Sequence, residues 1–129
     1  MSELPIVMAV DDSLVNRRLI TAQLKGSNVA VAEFGDGGSA LEFLRANYEQ
    51  VGLLLLDISM PDISGISVCN IIRSEIDTVG RRLPVVAYTA HAMSHERRQF
   101  IDAGFDDYLL KPFVKEQLLS LIDRFIRWR

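Results

Sequence analysis

Cysteine is nearly absent from this chain: Cys69 is the single copy in 129 residues. No intrachain disulfide can form, which suits a reducing compartment. An excess of positive charge is missing too. Lys and Arg number 14 against 17 Asp and Glu, for a net charge of −3. Non-specific nucleic-acid binding needs a basic face to displace counterions, so no nucleic-acid partner is expected. No apolar run approaches the roughly 20 residues that cross a bilayer. The start, "MSELPIVMAV", has no Lys or Arg before its short apolar stretch, unlike a signal peptide. These absences predict a soluble, cytoplasmic protein without a membrane partner.

What is present is ordinary for a globular domain: 49% hydrophobic and 24% charged residues. Residues 1–129 are expected to form one domain. At this length folding removes roughly two-thirds of the unfolded chain's surface from water.

Two kinds of segment alternate along the chain. Short apolar runs read as buried strands: 6–10 (IVMAV), 29–34 (VAVAEF), 53–56 (LLLL), 84–88 (PVVAY) and the weaker 107–110 (DYLL). Between them lie stretches with helical spacing of apolar residues. The first, 13–25, carries Leu19, Ile20 and Leu24. Others cover 38–46, 65–73 (Ile66, Cys69, Ile72) and 93–103. The clearest is 114–127, with Val114, Leu118, Leu121, Ile122, Phe125 and Ile126. Gly- and Pro-containing breakers such as "GDGG" and "MPDISG" fill the gaps. Strand and helix thus alternate five times. Near-continuous apolar strands joined by helices predict an α/β fold with a parallel sheet covered on both faces.

In such a sheet, ligands bind at the carboxyl ends of the strands, where strand order reverses. The residues that follow each apolar run are therefore the informative ones. They are Asp11 and Asp12 after the first, Asp57 after the third, Thr89 after the fourth and Lys111 after the fifth. Two carboxylates about 4 Å apart repel by about 4 kcal/mol at an effective dielectric of about 20. Three together call for a cation. Hard oxygen donors, with no His or Cys beside them, favour Mg²⁺ over zinc. Such an ion beside a lysine and a hydroxyl suits phosphoryl oxygens, and Asp57 can then act as nucleophile and form an aspartyl phosphate.

With "VDDS", "LLLLDISMPDISG", "VVAYTAHAM" and "YLLKPF" in this order, the chain resembles the receiver domains of two-component response regulators over essentially its whole length. The resemblance implies a flavodoxin-like (βα)5 sandwich of three layers, with strand order 2-1-3-4-5. It implies that Asp57 is the phosphoacceptor and that Asp12 binds Mg²⁺ directly, with Asp11 acting through water. It gives the Ser59 main-chain carbonyl as a further metal ligand and Lys111 as partner of Asp57 and then of the phosphoryl group. Thr89 and Tyr108 match the switch residues. The Lys111–Pro112 bond is expected to be cis. The implied donor is a phosphohistidine on a histidine kinase or histidine phosphotransfer protein, and the implied state is a monomer or a phosphorylation-dependent dimer. The "DDSLVNRR" and "AYTAHAM" stretches resemble receivers of hybrid kinases or phosphorelays more than those of transcription factors.

Leu14 and Val15 lie one turn ahead of the core positions of the first helix. Exposed apolar residues on the rim of a reactive site suggest docking; in the family, Pro112 and Phe113 join that surface. His91 and Ser59, each two residues past a site residue, are candidates for controlling water access to the phosphoryl group. "HERRQ" lacks the second histidine of a zinc-protease motif, since Gln99 stands in its place. Cys69 reads as core. Two other classes compete: an aspartate-nucleophile phosphohydrolase, whose D-x-D pattern is not met by adjacent acids followed by Ser13, and a binding module that has lost phosphotransfer.

Overall fold

The computed structural model describes residues 4–90 and 94–126, with 94–97 as helical backbone. Five strands alternate with five helices: β1 Ile6–Val10, α1 Leu14–Leu24, β2 Ala30–Phe34, α2 Gly37–Asn47, β3 Val51–Asp57, α3 Gly65–Ile71, β4 Val85–Thr89, α4 Ser94–Ala103, β5 Asp107–Leu110 and α5 Lys115–Phe125. All strand pairs are parallel and the order is β2-β1-β3-β4-β5. That is the architecture expected from the alternation and the resemblance. The reversal of strand order falls between β1 and β3, whose ends carry the acids.

The apolar runs are strands because both of their faces are covered. Met8, Val10, Leu54, Leu56, Val85 and Ala87 face α2, α3 and α4, where Leu44, Val68, Cys69, Ile72 and Phe100 complete one core layer. Val7, Ala9, Leu53, Leu55, Val86 and Tyr88 face α1 and α5, where Ile20, Leu24, Leu118 and Ile122 complete the other. Alternate residues of each strand thus feed opposite layers. Each fully buried Val or Leu contributes on the order of 2 kcal/mol, which fixes register against a one-residue slip.

Three helical positions depart from the sequence reading. Leu19 is exposed rather than core, because Ile20 and Leu24 set the buried face of α1. Val114 is exposed at the N-cap of α5. The third helix does not run evenly to 73: after Ile71 it widens into one π turn over Ile72–Ile76. Cys69 is buried and free, and burial pushes its thiol up to about 11, as suits a core residue. Among the described residues no helix is long and apolar enough to cross a membrane.

Candidate functional site

The site forms where β1, β3, β4 and β5 end. Asp11 continues the β1–β2 ladder, since its amide donates to the Phe34 carbonyl at 3.0 Å. Ser13 caps α1 by accepting from the Asn16 amide at 3.3 Å, so the helix starts immediately beyond the acidic pair. Asp11 is 1% exposed and Asp57 is 6% exposed, whereas Asp12 faces solvent. One carboxylate oxygen from each of the three lies within 4.8 Å of the others.

The cation available to them is Lys111, which is carried to the site by β5 and anchored by its amide to the Thr89 carbonyl at 2.8 Å. Its ammonium lies 3.1 Å from Asp11 and 3.5 Å from Asp57. The lysine expected to partner Asp57 is thus shared, and Asp11 holds the shorter contact. The ammonium also sits 4.3 Å from the centroid of the Tyr88 ring, which supports it from below. The Lys111–Pro112 peptide bond is cis, as expected.

The two buried acids differ in their proton affinity. Burial first, and then the Asp11 carboxylate, push the Asp57 carboxyl up to about 6, against Lys111 and the Ser59 amide. Burial acts on Asp11 as well, but the Ser13 amide, Lys111 and Asn16 outweigh it and hold that carboxyl below its ordinary value. Three clustered carboxylates beside one ammonium, which pairs with Asp11 and Asp57, leave excess negative charge in a partly dry cleft. That excess, the all-oxygen donor set and the short spacing fit a hard divalent cation.

The loop after β3 brings Ser59 to the rim, where its amide donates to Asp57 at 3.3 Å. Gly65 makes this loop possible. A Cβ there would stand 2.4 Å from the Asp57 carbonyl oxygen, so only glycine lets α3 begin against the end of β3. Thr89 is buried at the end of β4 and Tyr108 is half-buried on β5. Leu14 and Val15, which follow the acids in sequence, are 51% and 76% exposed, and Pro112, directly after Lys111, is exposed as well. Phe113 does not belong with them. Its ring is buried 5.5 Å from that of Tyr88, packed edge-on, so it is core rather than docking surface. His91 lies outside the described residues.

Other supporting residues emerge only from the structure. Asn16 donates its side-chain amide to Asp11 at 3.1 Å, and the Arg17 guanidinium donates to the Asp11 carbonyl at 2.7 Å. Their spacing on the first turn of α1 was the available signal, because residues five and six beyond Asp11 come back over the loop.

A family model for the response regulator receiver domain matches residues 7–123. The chain belongs to the response regulator receiver domain family. Signal transduction histidine-protein kinase BarA of Shigella flexneri is 40% identical over 119 residues, covering 92% of this chain and 12% of that protein. Response regulator MprA of Mycobacterium leprae is 36% identical over 121 residues, covering 94% of this chain and 50% of that protein. The receiver domain thus spans about an eighth of one relative and half of the other. Chemotaxis protein CheY4 of Vibrio cholerae superposes with a TM-score of 0.85 at 24% identity, over 95% of this chain and 99% of that one, which shows the shared fold. The family match leaves the phosphohydrolase reading without support.

Proposed function

We propose that this receiver domain takes a phosphoryl group from a phosphohistidine onto Asp57. The observation that carries the reading is Asp57 itself: a buried carboxylate at the end of β3, beside a second buried acid, with one lysine between them. An Asp57 oxygen attacks phosphorus as the P–N bond breaks. The electron pair of that bond stays on the imidazole nitrogen, which takes up a proton from solvent. Lys111 neutralises charge on the phosphoryl oxygens. Asp11, Asp12, Asp57 and the Ser59 carbonyl would hold Mg²⁺, which when bound supplies further charge neutralisation and orients the phosphoryl group.

The Thr89 hydroxyl then turns toward the phosphoryl oxygens and Tyr108 packs inward. The face made by α4, β5 and α5 shifts its population of conformers and signals, as a covalent ligand biases an existing equilibrium. The domain phosphorylates itself and slowly loses the group, with no turnover of a separate substrate. Ser59 and His91 set water access; replacing both should change the rate of phosphoryl loss, and an unchanged rate would remove them from this role.

The donor is a histidine kinase or a histidine phosphotransfer protein, docking on exposed Leu14 and Val15 with Pro112. The identity to BarA supports a place in a hybrid kinase or phosphorelay. A single buried cysteine supports a cytoplasmic setting. We assign residues 1–129 to one receiver domain, monomeric or dimerising on phosphorylation.

Incubation with phosphoramidate and Mg²⁺ tests the reading. One phosphoryl group per chain, dependent on Mg²⁺ and lost in Asp57→Asn, is expected. Rapid multiple turnover of phosphomonoesters would point to a hydrolase, and absence of labelling to a binding module.

A further inference from the structure

The turn 35–38 between β2 and α2 carries no reagent, yet both loops that bear the acids lean on it. On the β1 side, the Asp11 amide donates to the Phe34 carbonyl. The Arg17 Nη1 that donates to the Asp11 carbonyl also lies 3.1 Å from where a Cβ on Gly35 would stand. On the β3 side, the Asp62 carboxylate accepts from the Gly37 amide at 3.0 Å and from the Gly38 amide at 2.9 Å. A Cβ on Gly37 would come within 2.9 Å of Val68 and 3.3 Å of Ile63, so glycine is what permits this approach.

Helix α2 already has its own cap. Asp36 accepts from the Ser39 amide at 2.7 Å. Asp62 reaches the Gly37 and Gly38 amides from the other loop, and only two residues separate it from Ser59. We propose that Asp62 is a positioning residue for the acidic site: it ties the β3–α3 loop, and with it the Ser59 carbonyl, to the turn that follows Phe34, the acceptor of the Asp11 amide, and against which Arg17 packs. This assignment, which rests on the reading of Asp11, Asp12, Asp57 and Ser59 as an Mg²⁺ site, separates Asp62 from Asp36. Both cap the same helix, and of the two only Asp62 reaches it from the loop that carries a ligand.

Calorimetric titration with Mg²⁺, paired with thermal unfolding in EDTA, tests it on the whole chain. Asp62→Ala should weaken Mg²⁺ binding roughly tenfold, the range seen when the supporting partner of a metal ligand is lost. Asp62→Asn keeps one carbonyl oxygen as acceptor and should fall between wild type and Asp62→Ala. Asp36→Ala should lower the unfolding temperature and leave Mg²⁺ affinity unchanged. Wild-type affinity in Asp62→Ala, or equal weakening in Asp36→Ala, would overturn the assignment. Should Asp62→Ala not fold, Asp62→Asn decides, and wild-type affinity there overturns it. A wild-type chain with no saturable Mg²⁺ binding would instead overturn the metal site, and the role of Asp62 with it.

Discussion

At the carboxyl ends of β1 and β3, Asp11 and Asp57 share one lysine, and Asp12 adds a third carboxylate beside them. At the amino ends of β3, β4 and β5, two carboxylates are surrounded by donors. Asp77 accepts from Tyr48 at 2.7 Å, from Arg73 at 2.8 Å and from the Leu83 amide at 3.0 Å. Asp106 accepts from Arg73 at 2.8 Å, from Arg82 at 3.0 Å and from the Val85 amide at 2.9 Å. Arg81 closes this end by donating to the Tyr48 and Val51 carbonyls, at 2.6 Å each, while lying over the Tyr48 ring. The contrast appears in the protons. Burial works against Asp77, yet Leu83, Tyr48 and Arg73 hold its carboxyl below the ordinary value, whereas Asp57 is pushed up to about 6. Charge satisfied by the fold stabilises it; charge left over is available for chemistry, at a cost in stability.

The largest stability effect should come from the satisfied end. Asp77→Ala leaves the Leu83 amide without its acceptor and breaks the ion pair with Arg73, while the Tyr48 hydroxyl and Arg73 keep the Arg81 and Leu83 carbonyls, and should cost about 3 kcal/mol in urea unfolding. Mg²⁺ affinity should stay at the wild-type value. A large change in affinity would break the separation of the two ends.

At the other end the sign reverses. A folded pKa near 6 against an ordinary 3.8 means that the Asp57 contribution is most favourable below pH 3.8 and is lost as pH rises through 6. Without Mg²⁺, Asp57→Asn should therefore be more stable than wild type above pH 7, by up to about 3 kcal/mol at 1.36 kcal/mol per pKa unit. The gap should close toward pH 4. Equal stability at both pH values, read from parallel melts in EDTA, would show that the fold compensates Asp57 after all.

Much of this contrast was legible in the chain. Five apolar runs announced the strands because central parallel strands are buried on both faces, and Asp57 stood out because it directly follows four leucines. Helix faces were harder to place. Leu19 and Val114 fit a helical stripe as well as their buried neighbours did, and a shift of one residue turns a side chain about 100° around the helix. Phe113 was misplaced because its burial depends on Tyr88, 25 positions earlier in the sequence. Tyr88 and Asp62 were invisible for the same reason, since each acts on a partner that the fold supplies, and Asn16 and Arg17 left only their spacing from Asp11 as a signal. The network of Arg73, Asp77, Arg81, Arg82 and Asp106 left no motif, since its spacing follows the loop 77–84 and the π turn before it.

The smallest stability effect is expected on the rim. Replacing Leu14 and Val15 together by serine should change stability by no more than about 0.5 kcal/mol, as both are exposed. Phosphotransfer from a phosphohistidine protein should nevertheless slow roughly tenfold, equal to about 1.4 kcal/mol of docking energy, while the rate with phosphoramidate stays the same. Equal slowing with both donors would assign these residues to the chemistry rather than to recognition.

Locating the phosphoryl group tests the central claim most directly. The chain is incubated with phosphoramidate and Mg²⁺, treated with borohydride to reduce any acyl phosphate to an alcohol, digested and sequenced by mass spectrometry. Reduction at position 57 alone, absent when EDTA replaces Mg²⁺, is the predicted result. Reduction at Asp11 or Asp12, or at position 57 regardless of Mg²⁺, would contradict it.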